Sequence, residues 1–247
     1  MVYKIAIMLP STTNNRNWKT IKETPLFNIF LKSFLITYNQ EYKYTIFLVV
    51  DDDDKVFSKE SEIKFLNNFI KIMRNVNIEI LYSTGIQKGC VTHMWNRAFK
   101  CAYEKGFDYF YQCGDDVEFL DKNWVSDCIR ELKNNNDVGV TGPIDYGRYL
   151  YEVKHNTKQK FLLTQTFVSR KHMDFFGFYF PIEIKNWFCD DWITNVYLKS
   201  NKLYLMNKRV LNKGGEPRYT PEGKGPDWKR MTELCEKLVD KHYISIK

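Results

Sequence analysis

Four apolar segments recur through the first half of the chain: Tyr3–Leu9, Tyr44–Val50, Ile78–Tyr82 and Tyr109–Cys113. Each is short and rich in β-branched or aromatic residues, a composition typical of strands. The segment Tyr44–Val50 shows no polar alternation, which indicates a strand buried on both faces, as in a parallel sheet. We therefore predict that these four segments are strands of one sheet.

The stretches between these strands carry apolar residues at helical spacing. Three helices are predicted there, at Pro25–Tyr38, Ser58–Asn75 and Val91–Lys105. Alternation of strands and helices predicts right-handed crossovers and a mainly parallel sheet with helices on its faces. The fold class is therefore α/β.

The second half of the chain is less regular. Three strands and two helices are predicted: Val138–Val140, Phe161–Ser169 and Leu203–Leu211, with Trp124–Leu132 and Asp227–Lys241. Asn123 and Asp227 are the expected capping residues of these helices. Neither an internal repeat nor a low-complexity linker interrupts the sequence, so one domain over residues 1–247 is expected.

Composition and charge narrow the class of protein only slightly. The 247 residues are 44% hydrophobic and carry a net charge of +7, which is mild and does not by itself indicate a nucleic-acid partner. The six cysteines are widely spaced without a Cys-x-x-Cys pair, which argues against a zinc site. We expect reduced cysteines and a cytoplasmic protein, since no apolar stretch is long enough for a signal peptide or membrane span.

Acidic residues follow two of the predicted strands directly. The second strand runs into Asp51-Asp52-Asp53-Asp54, and the fourth into Gly114-Asp115-Asp116. In α/β sheets, ligands bind at the carboxyl ends of the strands. Asp115 and Asp116 could hold a divalent metal on a diphosphate, because Mg²⁺ prefers oxygen ligands. The alternative is an acidic turn.

Polar loops elsewhere could complete such a site. The loop Pro10-Ser11-Thr12 after the first strand could hydrogen-bond a base or ribose, or be a plain turn. The glycine-bearing loop Asn212–Tyr219 contains Lys213 and Arg218, which could close over phosphates, or it could be a basic surface loop.

A third acidic pair, Asp190 and Asp191, stands between Trp187 and Trp192. One acid could cap the helix predicted to follow. The other would have its pKa raised by apolar surroundings and become a candidate general base. Aromatic side chains beside a carboxylate also suit a sugar-binding surface.

Together these residues resemble glycosyltransferases of the GT-A fold, closest to the family 2 type. The resemblance is carried by Pro10-Ser11-Thr12, by Val49-Val50-Asp51-Asp52, by the helix that follows Lys88-Gly89, by Gly114-Asp115-Asp116-Val117 and by Cys189-Asp190-Asp191-Trp192. It implies a GT-A sheet whose residues 1–120 form the nucleotide-binding half and residues 121–247 the acceptor-binding half, including the C-terminal helix.

The resemblance also implies roles for individual residues. Asp51 or Asp52 would contact the nucleobase, Asp115 the ribose, and Asp116 a Mn²⁺ or Mg²⁺ ion on the diphosphate. Lys88 is also expected to contribute to donor binding. Asp191, or in second place Asp190, would be the base of an inverting enzyme. Gly114 stands where the first acid of the family's D-x-D motif usually is, which leaves the metal with as few as one protein carboxylate.

The expected activity is transfer of a sugar from a nucleotide-diphosphate donor, with UDP favoured, to an acceptor hydroxyl on a glycan, protein or lipid. Three alternatives remain: a retaining transferase, a non-catalytic nucleotide-sugar-binding module, and a basic nucleic-acid-binding protein. The last is disfavoured because acids at strand ends would repel a phosphate backbone, and no nucleic acid is expected as a partner.

Overall fold

The computed structural model describes residues 2–155, 162–214, 217–223 and 225–246. Its strands are β1 (Lys4–Ser11), β2 (Lys43–Val50), β3 (Val76–Tyr82), β4 (Tyr109–Gln112), β5 (Val117–Phe119), β6 (Val140–Thr141), β7 (Ile144–Asp145), β8 (Thr166–Ser169) and β9 (Arg209–Asn212). Its α-helices are α1 (Lys32–Thr37), α2 (Glu60–Ile70), α3 (Val91–Glu104), α4 (Trp124–Asn134), α5 (Tyr146–His155), α6 (Lys171–Phe176), α7 (Cys189–Lys199) and α8 (Trp228–His242).

The central sheet has six strands in the order β3-β2-β1-β4-β8-β6. Strands β1 to β4 are parallel to one another, and β8 runs antiparallel to both of its neighbours. The predicted α/β class with a mixed, mainly parallel sheet is therefore confirmed. The four strands predicted in the first half all form, within two residues of their expected ends.

Helices cover both faces of this sheet. Successive side chains along β1 point to opposite faces and pack into the two cores alternately. Ile5 and Ile7 belong to the core that contains α2 and α4, whereas Ala6 and Met8 belong to the core that contains α3, α7 and α8. All four side chains are fully buried. This two-faced burial is the physical reason why the first half of the sequence shows strands without polar alternation.

The first strand extends two residues further than predicted, through Pro10 and Ser11. The carbonyls of Lys4 and Met8 accept hydrogen bonds from the β4 side of the sheet, from Asp108 N and Cys113 N. Backbone groups alternate sides along a strand, so the nitrogen of Pro10 also faces that side, where β4 has already ended. The missing N–H of Pro10 therefore removes no hydrogen bond between β1 and β4.

A second sheet, with strand order β5-β9-β7, was not predicted. It pairs Val117 with Asn212 and Asp145 with Val210. Strands of two or three residues are too short to show a periodicity, which is why β5 and β7 are not visible in the sequence. Their effect is to bring Asn212 beside the Gly114-Asp115-Asp116 turn.

Several predicted boundaries were wrong. The expected strand Leu203–Leu211 forms only as β9, with Leu203 in an isolated bridge to Val140. Helices α5 and α6 were missed, and Pro25–Tyr38 begins as a π-helical segment, Leu26–Leu31. Phe161 of the expected strand Phe161–Ser169 lies outside the described residues.

Neither predicted cap makes the expected bond. Asn123 precedes α4 in a left-handed conformation, with φ of 63°, and its side chain accepts from Asn39 instead. Asp227 precedes α8, but its carboxylate pairs with Arg230 and accepts from Gly223 N. A tertiary partner replaced the local backbone donor at Asn123, whereas Asp227 uses partners within four residues of it in the sequence.

All six cysteines are free thiols, as expected. In the part of the chain that the structure describes, no helix combines the length and the apolar character that a bilayer crossing requires.

Candidate active site

Some of the acids predicted to act together line one cleft, but Asp52 and Asp191, the first candidate for the base, do not. The cleft has a volume of about 680 Å³ and lies beyond the carboxyl ends of β1, β2 and β4. Five acidic residues line it: Asp51, Asp115, Asp116, Asp145 and Asp190, of which Asp145 was not named from the sequence. Pro10, Ser11, Thr12 and Arg218, also named from the sequence, belong to the same lining.

Asp51 is a buried acid at the floor of the cleft, with 3% of its surface exposed. Its Oδ2 accepts from Thr12 Oγ1 at 2.7 Å, Asn14 Nδ2 at 3.1 Å and Tyr219 OH at 2.6 Å. Buried carboxylates need such donors. Since all three donors reach Oδ2, Oδ1 accepts from no side chain in the described ranges, and a ligand can use it.

The other members of the aspartate run have different positions. Asp54 is buried and accepts from Thr13 N and from the amides of Val56 and Phe57, so it organises the loop. Asp52 is exposed and outside the cleft lining. Lys88 is also outside the lining and forms an ion pair with Asp53. Of the two acids expected near the base, only Asp51 reaches the cleft.

Asp115 is engaged by two protein groups. Ser11 Oγ donates to its Oδ2 at 2.5 Å, and Arg218 donates from both terminal nitrogens at 3.0 and 2.9 Å. The carboxylate is 2% exposed. A bidentate guanidinium is the strongest single partner a carboxylate finds in a protein, so Asp115 is held in place from two distant parts of the chain.

Asp116 has a different environment. Burial, with repulsion from Asp115, raises its pKa to about 6, and Arg218 opposes that rise. Its carboxylate lies between two glycines: a Cβ on Gly114 would stand 2.5 Å from Oδ1, and one on Gly214 would be closer still to Oδ2. Both glycines therefore make room for this side chain.

The carboxylate of Asp116 fits a divalent cation that substrate phosphates also bind. No side chain in the described ranges donates to it, and Asn212 Oδ1 approaches the same glycine, Gly214. Magnesium often takes only one or two carboxylates when phosphates and water supply the rest. Among the described residues, no cluster of three His, Cys, Asp or Glu side chains could enclose a metal by itself.

The two acids at the start of α7 differ in their position relative to the cleft. Asp190 lines the cleft, whereas Asp191 is not part of the lining. Burial raises the pKa of Asp190 to about 7, the charge of Asp191 adds to the rise, and Arg148 opposes it from 3.8 Å. Phe188 occupies the N-cap position, so neither acid takes the capping role that was the alternative.

Arg148 was not noticed in the sequence. It lies on α5, where its Nε donates to Glu152 Oε1 at 2.7 Å, and it lines the cleft beside Asp190. An Arg and a Glu four residues apart are a helical pair that could have revealed α5. Its approach to Asp190 depends on tertiary packing.

The loop that follows β9 supplies further residues to the cleft. Arg218 and Tyr219 line it, but Lys213 does not: its Nζ pairs with Glu118 Oε2 at 2.7 Å. Tyr219 was not predicted as a site residue, although its hydroxyl contacts Asp51. Gly215 and Glu216 lie outside the described residues.

The sheet order, the crossovers and the acidic cleft at the strand ends together define a class of protein by fold. The chain has the GT-A fold of nucleotide-sugar glycosyltransferases, as several solved structures similar to it do. Neither the protein-family models nor the curated proteins compared with this sequence match it.

Two of those structures are S. aureus TarS and a mycobacterial synthase. TarS residues 1–349 in complex with UDP-GlcNAc superpose with a TM-score of 0.61 at 15% identity, over 95% of this chain and 66% of that one. Glucosyl-3-phosphoglycerate synthase from Mycobacterium tuberculosis, in complex with Mg²⁺ and UDP, gives a TM-score of 0.52 at 9% identity, over 99% and 79%. The chain spans only 39% of the longer TarS chain, with a TM-score of 0.59 at 14% identity.

Proposed function

We propose that this protein is a nucleotide-sugar glycosyltransferase, which moves a sugar from a nucleotide-diphosphate donor to an acceptor hydroxyl. The observation that carries the proposal is the shared cleft: Asp51, Asp115, Asp116 and Asp190 line one cavity at the strand ends of a GT-A fold. Its volume lies within the range of about 300–1,000 Å³ usual for ligand sites.

The nucleoside would lie over the ends of β1 and β2. Asp51 has one carboxylate oxygen without a protein side-chain donor in the described ranges, which suits the N–H of a uracil base. Pro10, Ser11 and Thr12 border the space next to Asp115, where a ribose would fit. UDP is favoured because TarS and the mycobacterial synthase bind UDP in this fold.

Two groups would face the diphosphate. Asp116, with Asn212 next to it, would hold Mg²⁺ or Mn²⁺, and such an ion neutralises charge on the leaving diphosphate. Arg218 would add a positive charge, since it lines the cleft and donates to Asp115, the residue next to Asp116. Electrostatic stabilisation of this kind lowers a barrier by roughly 3–4 kcal/mol per well-placed donor.

Asp190 would be the general base. A base is most effective when its pKa lies near the working pH, and burial brings that of Asp190 to about 7. Its carboxylate would take the proton of the acceptor hydroxyl while that oxygen bonds to the anomeric carbon. The bond from that carbon to the diphosphate breaks on the opposite side, so the configuration inverts. Asp191 remains the second candidate.

The decisive experiment measures donor binding and transfer separately. Calorimetry with UDP-sugars, with and without Mn²⁺, should show binding to the wild type, and Asp116→Ala should lose the metal-dependent part. Asp190→Asn should bind donor with unchanged affinity and lose transfer, whereas loss of transfer in Asp191→Asn alone would assign the base to Asp191. Binding without turnover in the wild type would instead indicate a binding module, and a product of retained configuration by NMR would exclude inversion.

A further inference from the structure

Trp187 is a large, partly exposed aromatic side chain at the wall of the cleft. It is 40% exposed, and it lines the cavity that also contains Asp190. No ring of the described residues stacks on its indole. The other tryptophan named from the sequence, Trp192, is fully buried in the core. Of these two tryptophans, Trp187 is therefore the one that offers an open aromatic surface to the cleft.

The backbone beneath Trp187 is held firmly. Asn186 Oδ1 accepts from the amides of Trp187, at 2.8 Å, and Glu222, at 2.9 Å. Its Nδ2 donates to the carbonyl of Gly89 at 3.1 Å. The Asn186 side chain thus links the backbone at Gly89, Trp187 and Glu222, and these bonds fix the backbone that carries the indole.

The next residue accounts for the outward direction of Trp187. Phe188 adopts a left-handed conformation with φ of 73°, which is strained for a bulky side chain. This turn places Phe188 in the core, 5% exposed, where its ring meets Trp228 with centroids 4.7 Å apart. Strain of this kind is concentrated at functional sites. Here the left-handed turn at Phe188 lets the Phe188 ring pack in the core while the neighbouring Trp187 ring faces the cleft.

We propose that Trp187 is the platform for an acceptor sugar ring, so that the acceptor class is a glycan and not an isolated protein or lipid alcohol. This inference rests on the proposed function. The electron-rich face of an indole attracts the C–H groups that cover one face of a pyranose. Hydroxyls then project from the edge of the ring, and Asp190, three positions further along the chain, can accept the proton of one of them.

The test compares acceptors with and without a ring. The probes are methyl glycosides of common hexoses and N-acetylhexosamines, with glycerol and a serine-containing peptide as ring-free alcohols, in the presence of UDP-sugar. The wild type should transfer to a methyl glycoside, and saturation-transfer NMR should show contact with the C–H face of that glycoside. Trp187→Ala should lower kcat/KM for it about tenfold, the ratio that corresponds to one lost aromatic contact.

Three further variants separate stacking from folding. Trp187→Phe should retain most of the activity, whereas Trp187→Leu, which keeps apolar volume without a π face, should not. Tyr82→Ala is the control, because Tyr82 is 49% exposed and is not part of the cleft lining. This control should hydrolyse the donor and transfer to the glycoside at the wild-type rates.

The inference alone is overturned if donor is hydrolysed but no glycoside is bound or used, if ring-free alcohols are preferred, or if Trp187→Ala matches the wild type. Absence of donor binding in the wild type overturns the proposed function as well.

Discussion

Arg218 and Asp115 form a two-point ion pair across 103 residues of sequence, with both terminal nitrogens of the guanidinium on the carboxylate. The pair joins the loop after β9 to the end of β4. It fixes one acid of the cleft, next to Asp116, which we propose as the cation ligand. The loop after β9 is therefore part of the cleft, on the side where we propose that the donor binds.

Replacing Arg218 should weaken donor binding. Arg218→Ala leaves Asp115 buried without its cation and removes a positive charge from the diphosphate region, so the Kd for a UDP-sugar should rise at least tenfold, the equivalent of about 1.4 kcal/mol. Lys213→Ala is the control, since the Lys213 side chain pairs with Glu118 outside the cleft lining. Equal effects of the two substitutions in calorimetry would contradict this assignment.

Filling the space beside Asp116 should disrupt the cation site. Gly214→Ala and Gly114→Ala each place a Cβ against the carboxylate of Asp116, which must then move. We expect a higher Mn²⁺ concentration for half-maximal transfer, measured by metal titration. Gly147→Ala is the matched control, because a Cβ there meets its nearest atoms at 3.5 Å and 3.6 Å. Unchanged metal dependence in both cleft variants would show that Asp116 does not bind the ion.

The pH profile should depend on Arg148. Asp190 acts as a base only when ionised, so kcat/KM should rise with pH through about 7. Arg148 lowers that pKa, and Arg148→Gln should therefore move the acidic limb upward by roughly one unit. Arg130→Gln, on the exposed face of α4, should leave the limb in place. A limb that does not move in Arg148→Gln would exclude Asp190 as its origin.

The same ionisation should destabilise the fold as the pH rises from acidic values to neutrality. The pKa of Asp190 rises from 3.8 to about 7 on folding, so the folded state binds its proton more tightly than the unfolded state does. The free energy of unfolding therefore decreases as pH rises from about 4 to about 7.

Asp190→Asn removes this penalty. Its melting temperature should exceed that of the wild type at pH 8 by several degrees, at roughly 2–4 °C per kcal/mol, and the difference should shrink by pH 4. Scanning fluorimetry across pH measures it, with Asp52→Asn, an exposed acid, as control. An increase of equal size at both pH values would indicate a packing effect instead.

The sequence by itself determined the parallel half of the sheet and the acids at its edge. Periodicity reports burial, so Tyr44–Val50 and Val91–Glu104 could be recognised without a structure. A buried strand that ends in carboxylates also shows where polar groups leave the core, which is how Asp51 and Gly114-Asp115-Asp116 were found.

Only the tertiary structure decided between neighbouring candidates. Asp190 and Asp191 are equivalent in composition, and so are Lys213 and Arg218, but in each pair one side chain reaches the cleft. That choice depends on the rotation of α7 and on the pairing of β9 with β5, which places Asn212 opposite Val117. Contacts between residues about 100 positions apart leave no local pattern, because they arise from packing and not from the spacing of residues along one element.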